Sequence, residues 1–437
     1  MRLGPGTVCG PEEAGAAPFG DEGPLLQRLR LMAGVSAGAS GAQAAYFESL
    51  YADILQACSD PRGYLAATFY VPSEVPAALG ISWLCSEPVV GAAASLPDAP
   101  AALSDSVRLL DLPPGLCGYQ RLFLGLIARG LLPPPRAFAA ASSMCDDAWK
   151  MYEVAAWRLR RPFFLLDVPH LPGPEATRYL AHQLRRLAEF LASTFGCRLR
   201  RDRVEEAVTL SNRALHQKRR LDRARRLRPG AVDSAFGLRL FTLYCGFGGR
   251  RCLEVYRRLN SELAALPQQY PRGVQGPELR LIWLGLMPLF IPSLTRYLER
   301  KWRVKVVYEE LGGFDWPELD AEELFERLAD KLWAQPFLGP ARARAQAAAQ
   351  MAQEFAADAA IHLSYPGCRA LPPAVPELRS ALAAVGVPLL DVSAEVVDRS
   401  RYSAAATLLA LDAFMEQVGA RPRPPAGLDR AAGGGRP

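Results

Sequence analysis

The chain has 437 residues, half of them apolar, which is enough to bury two or three cores of ordinary domain size, and its interspersed charges and aromatics exclude a disordered polymer. A net charge of +6 is mild for this length, and no basic stripe interleaved with aromatics occurs, so nucleic acid is not an expected partner. The longest apolar run, Leu281 to Leu294, is interrupted by two prolines and falls short of the roughly 20 residues of a membrane span. The N-terminus shows no apolar secretory core, so the expected location is cytoplasmic.

In chain order, residues 1–44 read as a flexible Gly/Ala/Pro-rich leader with a helix at Gly23–Met32. An amphipathic helix over Ala42–Ala57 opens an N-terminal α/β domain spanning 45–173. Within it, β-rich runs recur at Ala66–Val71, Val107–Leu112, Ala137–Ala141 and Phe163–Val168, separated by helical patterns. Such alternation predicts a parallel sheet with helical crossovers.

Residues 174–270 form an arginine-rich helical section. A C-terminal α/β domain follows over 271–420, with strands expected at Leu279–Leu284, Val304–Tyr308, Ala357–Ser364 and Pro388–Val392. Residues 421–437 have the composition of a disordered tail. The fold class is therefore α/β, with two parallel-sheet domains around a helical middle.

The two α/β blocks echo each other. Cys145 precedes a helix and then a strand carrying Asp167, 22 residues on; Cys368 precedes a helix and then a strand carrying Asp391, 23 residues on. A cysteine at the same corner of both units is more than a generic strand–helix–strand repeat requires.

Nine cysteines in a long cytoplasmic chain do not suggest a disulfide framework, and none forms a Cys-x-x-Cys pair. A metal site would have to gather ligands from separate elements, and four dispersed histidines do not suggest zinc catalysis. In open parallel sheets, ligands bind beyond the carboxyl ends of strands. Glu74, Cys117, Cys145 and Cys368 each follow an expected strand, and together they offer three thiolates and a carboxylate. Three thiolates suit zinc or an iron–sulfur cluster with one position open.

The plainer readings are a small buried hydrophobe for each thiol and a helix-dipole acid for Glu74. Cys58, Cys197, Cys245 and Cys252 lie in or beside helical patterns and keep the packed-thiol reading, while Cys85, in "SWLCSEP", is ambiguous. Lys218–Arg228 ("KRRLDRARRLR") is either a solvated helix face or a surface for acyl-CoA phosphates or an acidic partner. His216 and Asn212 on that pattern read as structural, and His170 is a weak site candidate. "CGFGGRR" is glycine-rich but follows a helical pattern, which makes a poor phosphate loop, and no Walker-type motif is present.

Six stretches, "YVPSEVPAALG", "LCGYQRLFLG", "SSMCDDAWKMYE", "FLLDVP", "AIHLSYPGCR" and "VPLLDVSAEVVDRSRYS…LDAFMEQV", occur in the order seen in the 2-hydroxyacyl-CoA dehydratase family. That family includes the 2-hydroxyglutaryl-CoA dehydratase D-component and subunits of ATP-dependent benzoyl-CoA reductase. The resemblance runs from about Ala45 to Val418. It implies two Rossmann-like domains holding a 4Fe–4S cluster through Cys117, Cys145 and Cys368, with Glu74 as a proton-transfer acid near the substrate. Where the family usually has an arginine near the C-terminus, this chain has Ala410.

The implied chemistry is loss of water from a 2-hydroxyacyl-CoA. The C3 proton is not acidic until one electron enters the thioester; the ketyl radical anion then expels the 2-hydroxyl. The resemblance further implies a homologous second subunit, as a heterodimer or homodimer, and a separate ATP-hydrolysing iron–sulfur activator that supplies the electron. Two alternatives share the fold: a benzoyl-CoA reductase-like or other low-potential reductase subunit, and a non-catalytic electron-relay subunit.

Overall fold

A computed structural model describes residues 23–38, 40–228, 230–266, 279–289 and 293–419. Its centre is a pair of four-stranded parallel sheets. The first contains β1 (Tyr64–Ala67), β2 (Ser82–Cys85), β3 (Ala137–Ala141) and β4 (Phe163–Leu166), in the order β2-β1-β3-β4. The second contains β5 (Leu279–Leu284), β6 (Val304–Glu309), β7 (Ala359–Ser364) and β8 (Leu389–Ser393), in the order β6-β5-β7-β8. All neighbouring strands run parallel. The same order occurs twice, so each sheet has its switch point between its first and third strands, where helices leave in opposite directions and open a crevice.

Strands covered by helices on both faces need no polar side, and β3 ("AFAAA") and β7 ("AAIHLS") are buried at every residue. The small alanines of β3 let the helix Asp146–Arg158 approach closely. The first sheet, the helical section and one face of the second sheet share a continuous core. The other face of the second sheet has its own cluster, where Ile282, Leu284 and Val307 meet Ala345, Ala348, Leu378 and Leu382 from the helices Ala341–Glu354 and Val375–Ala384.

Between the sheets lie Pro174–Phe195, the 27-residue helix Arg201–Leu227, a 3-10 segment at Leu240–Gly246 and the helix Arg250–Ala265. At 1.5 Å per residue the 27-residue helix is about 40 Å long, and it reaches from one sheet to the other. Ser211 on it donates to Glu74 beyond β1, and Arg225 grips Glu309 at the end of β6.

Several expectations need correction. Val107–Leu112 is not a strand: Ala99–Leu110 is a helix that buries Leu103, Ser106 and Leu110 and leaves Leu109 exposed. Its 3.6-residue period outweighs the β-propensity of the single Val107. Strand β2 was too short to be read from "SWLC", four residues closed at once by a helix start. Within the leader expected over 1–44, the helix expected at Gly23–Met32 is present as Pro24–Ala37, longer at its C-terminal end and burying Leu25, Leu26 and Leu29. The rest of the leader and the 421–437 tail lie outside the described residues.

The arginine-rich stretch is neither a solvated face nor an open phosphate surface along most of its length. Lys218 is buried and pairs with Asp222; Arg219 reaches Asp315 and the Trp316 carbonyl; Arg226 pairs with Glu354.

Candidate functional site

The residues following β1, β3, β5 and β7 converge on one cavity of about 80 Å³. Thr68, Phe69 and Tyr70 come from the end of β1, Ser143 to Cys145 from β3, Leu286 from β5, and Tyr365 and Cys368 from β7. The two switch points therefore face each other across a single cavity. Cys117, Cys145 and Cys368 all line it, Cys117 buried and the other two half-buried.

Local structure explains how each thiol is aimed. Cys145 is the N-cap of Asp146–Arg158, yet no side chain caps that helix, so the sulfur is left free for the cavity. Just before it, Met144 has φ +66°, a left-handed conformation costly for a residue with a Cβ. Its Sδ accepts the Tyr70 hydroxyl at 2.9 Å, which helps hold the turn. Cys117 is likewise the uncapped N-cap of Gly118–Ala128, and its backbone N–H donates to Asp147 at 3.2 Å. It follows a helix and a loop rather than the strand expected from the sequence. Cys368 sits in the turn after β7, its N–H bonded to the Tyr365 carbonyl.

Tyr365 joins the two halves. The Gly118 N–H donates to its hydroxyl, and a Cβ at Gly118 would stand 3.0 Å from that oxygen and from Val397 Cγ2. Burial pushes the Cys117 thiol up to about 12, and the nearby Tyr365 hydroxyl offsets part of that rise. Burial raises Cys145 and Cys368 as well; Cys117 and Cys368 further disfavour ionisation of Cys145, and Cys368 that of Cys117. Without a cation the three are neutral thiols. Arg344 offsets this at Cys368 from within a buried bidentate pair with Glu310, at 2.6 and 2.9 Å.

Three soft ligands from separate elements meet in a water-poor pocket whose walls include Phe69, Phe241, Leu286, Leu311 and Leu371, and these residues fit an iron–sulfur cluster. The three sulfurs are not gathered within 4.8 Å of one another, a reach met among the described residues by Cys85, Glu87 and Cys245. A single zinc with bonds of 2.3 Å would hold tetrahedral thiolates about 3.8 Å apart. The wider spread suits a cluster better than one ion.

Glu74 does not join the thiols. It is fully buried at the start of the short helix Glu74–Ala78, where Oε1 accepts Lys331 Nζ at 2.6 Å and Ser211 Oγ at 2.7 Å. The acid lining the thiol cavity is Glu87, which sequence reasoning missed; the early Glu of "CSEP", two residues past β2, was its only signal. His170 is exposed, His216 bonds Glu318, and Asn212 bonds the Leu319 backbone in both directions.

A second cavity of about 460 Å³ opens beside the first sheet, lined by Cys85, Cys245, the glycines of "CGFGGRR", Arg250 and Arg251. Gly248 serves close packing: a Cβ there would lie 2.9 Å from the Glu74 Cα. Arg250 pairs with Glu206, and Arg251 with Asp53. Among the described residues, no helix is long and apolar enough to cross a membrane.

This architecture defines a class: a twofold α/β protein whose two switch points enclose a thiol-lined cavity. The model of the family described as 2-hydroxyglutaryl-CoA dehydratase, D-component, matches residues 68–418, and the chain belongs to that family. The chain is also 22% identical over 273 residues to the (R)-phenyllactyl-CoA dehydratase alpha subunit of Clostridium sporogenes. That match covers 59% of this chain and 66% of the relative, just under two thirds of the relative's length.

Proposed function

We propose that this chain is the iron–sulfur subunit of a 2-hydroxyacyl-CoA dehydratase, removing water from its substrate after one-electron activation by an ATP-hydrolysing iron–sulfur partner. The observation that carries this reading is the convergence of Cys117, Cys145 and Cys368 on one cavity between two switch points. Membership of the family supports it, as does the relative's description as one subunit of a dehydratase, which favours a homologous second subunit here.

Cys117, Cys145 and Cys368 would hold a 4Fe–4S cluster, which supplies one-electron chemistry and, at an iron without a protein ligand, Lewis-acid contact with an acyl-CoA oxygen. The chain's own residues do the rest. Met144 and Tyr70 fix the Cys145 turn, the Tyr365 hydroxyl supports the Cys117 thiolate, and Arg344 favours the Cys368 thiolate. Phe69, Phe241 and the surrounding leucines exclude water that would quench a radical. The described cysteines are all free thiols, which suits a reducing cytoplasm.

A second reading is favoured by one observation. The acid implied for proton transfer, Glu74, is locked in an ion pair outside the cavity walls, as would suit a subunit that relays electrons without itself carrying out the elimination.

The deciding experiment is to purify the chain without oxygen and count iron and acid-labile sulfide, comparing it with Cys145→Ser. About four of each per chain, lost in the variant, supports the cluster. An activator-dependent assay on 2-hydroxyacyl-CoA, with and without the second subunit, then separates the two readings. Protein that stays iron-free after anaerobic reconstitution overturns both.

A further inference from the structure

Cys85, Glu87 and Cys245 are the remaining unexplained constellation. Cys85 ends β2 and is the N-cap of the helix Ser86–Ala93; Glu87 lies in that helix's first turn; Cys245 comes from the 3-10 segment of the helical section. One ligand atom from each lies within 4.8 Å of the others, and all three residues are buried. Trp83 Nε1 donates to the Cys245 carbonyl at 2.9 Å, pinning the distant segment against the sheet.

The surroundings contain the parts of a metal site. Glu87 Oε2 accepts Cys85 Sγ at 2.8 Å and Ser86 Oγ at 2.9 Å, while its Oε1 accepts Gln120 Nε2 at 3.2 Å. The other end of that amide, Gln120 Oε1, is buried and has no partner, although Gln120 is only 5% exposed. A buried carbonyl oxygen without a donor costs free energy unless something else satisfies it. Cys85 and Cys245 face the larger cavity, whereas Glu87 and Gln120 face the smaller one, so the group forms the wall between the two.

We propose that Cys85, Cys245 and Glu87 bind one zinc ion, separate from the iron–sulfur centre, with Gln120 Oε1 or water as the fourth ligand. Two thiolates and a carboxylate select a borderline-soft, tetrahedral cation over magnesium or calcium. In the metal-free chain burial pushes both thiols and the Glu87 carboxyl upward. A divalent ion lets all three ionise together, and the N-terminus of Ser86–Ala93 favours the remaining negative charge. The ion joins β2 of the first sheet to the helical section and seals the partition between the cavities.

The test is zinc and iron analysis of the full chain purified without oxygen, before and after incubation with zinc sulfate and removal of the excess. One zinc per chain is expected in the unaltered protein, lost in Cys245→Ala and in Glu87→Gln with the iron count unchanged. Cobalt(II) taken up in place of zinc should show a thiolate-to-metal absorption band that Cys245→Ala abolishes, a readout independent of whether Glu87→Gln folds well. No stoichiometric zinc after incubation, zinc retained equally by both variants, or a Cys85–Cys245 disulfide in the anaerobic protein would each overturn the assignment.

Discussion

Lys331 Nζ lies 2.6 Å from Glu74 Oε1, and neither side chain is exposed to solvent. The ammonium is also enclosed by the rings of Tyr244, Phe247 and Trp316, at 4.4, 4.9 and 5.1 Å from their centroids. The pair joins the turn after β1 to the helix Leu324–Trp333, far apart in sequence. Removing one partner strands the other charge in an apolar cage. Lys331→Met should cost about 3–5 kcal/mol, read as a lowered denaturant midpoint. Glu74→Leu combined with Lys331→Met should recover part of that loss, since no buried charge remains. If Lys331→Met leaves the midpoint unchanged, the pair does not hold the fold.

The arginine-rich helix makes a sharper comparison. Arg225 donates to both oxygens of buried Glu309, at 2.7 and 2.6 Å, whereas Arg220 and Arg223 are exposed. Arg225→Ala should destabilise by about 3–5 kcal/mol, because Glu309 is left charged and buried. Arg220→Ala and Arg223→Ala should stay within about 0.5 kcal/mol. Equal effects at all three positions would mean that net charge, not the Glu309 contact, matters on this helix.

Much of this was legible in the sequence, for physical reasons that vary by element. Buried strands such as Ala137–Ala141 and Leu279–Leu284 announce themselves as short apolar runs between turn residues, and both have the expected bounds. Cys145 and Cys368 follow strands, as the repeated corner suggested. Cys117 lines the same cavity, but a helix and a loop precede it rather than the expected strand. What the sequence hid is pairing at long range. Cys245 is buried, as its packed-thiol reading implied, but nothing near it in sequence reveals its proximity to Cys85, 160 residues earlier. The Lys331 partner of Glu74 lies 257 residues away and could not be read from the residues around that acid.

The C-terminal helix Ala404–Gln417 is tied down by Asp412, which accepts Tyr297, Trp302 and Lys301 at 2.7 to 2.8 Å. Burial alone would raise this carboxyl, but those three donors outweigh it and hold it below its ordinary 3.8. A depressed folded-state value means the stabilisation is complete above the unfolded value of about 3.9 and is lost as pH falls through the folded one. Asp412→Asn should therefore be less stable by about 1–3 kcal/mol near neutrality. That gap should hold down to about pH 5 and shrink below about pH 4. A gap that widens in acid would contradict the assignment.

Gly118 packs against the second half of the chain, and Gly118→Ala places a methyl 3.0 Å from the Tyr365 hydroxyl and Val397. Neither neighbour sits at the loose end of a flexible chain. The expected cost is about 1–3 kcal/mol of overpacking, with iron retention falling further than stability because the strain lands beside Cys117. Unchanged iron content in a destabilised variant would separate the packing effect from the site.

Tyr365 offers the most specific reading of the thiol cavity. Its hydroxyl accepts the Gly118 N–H and interacts with the Cys117 side chain in the sense that favours the thiolate. A donor on a ligand sulfur stabilises the added electron and raises a cluster's reduction potential. Tyr365→Phe removes the donor while keeping the ring that packs against Gly367. Iron and sulfide counts should therefore be retained, with the midpoint potential more negative in an anaerobic redox titration followed by electron paramagnetic resonance. A variant with the parent potential would place the hydroxyl's role with Gly118 alone. One that loses iron altogether would mean Tyr365 builds the site rather than tunes it.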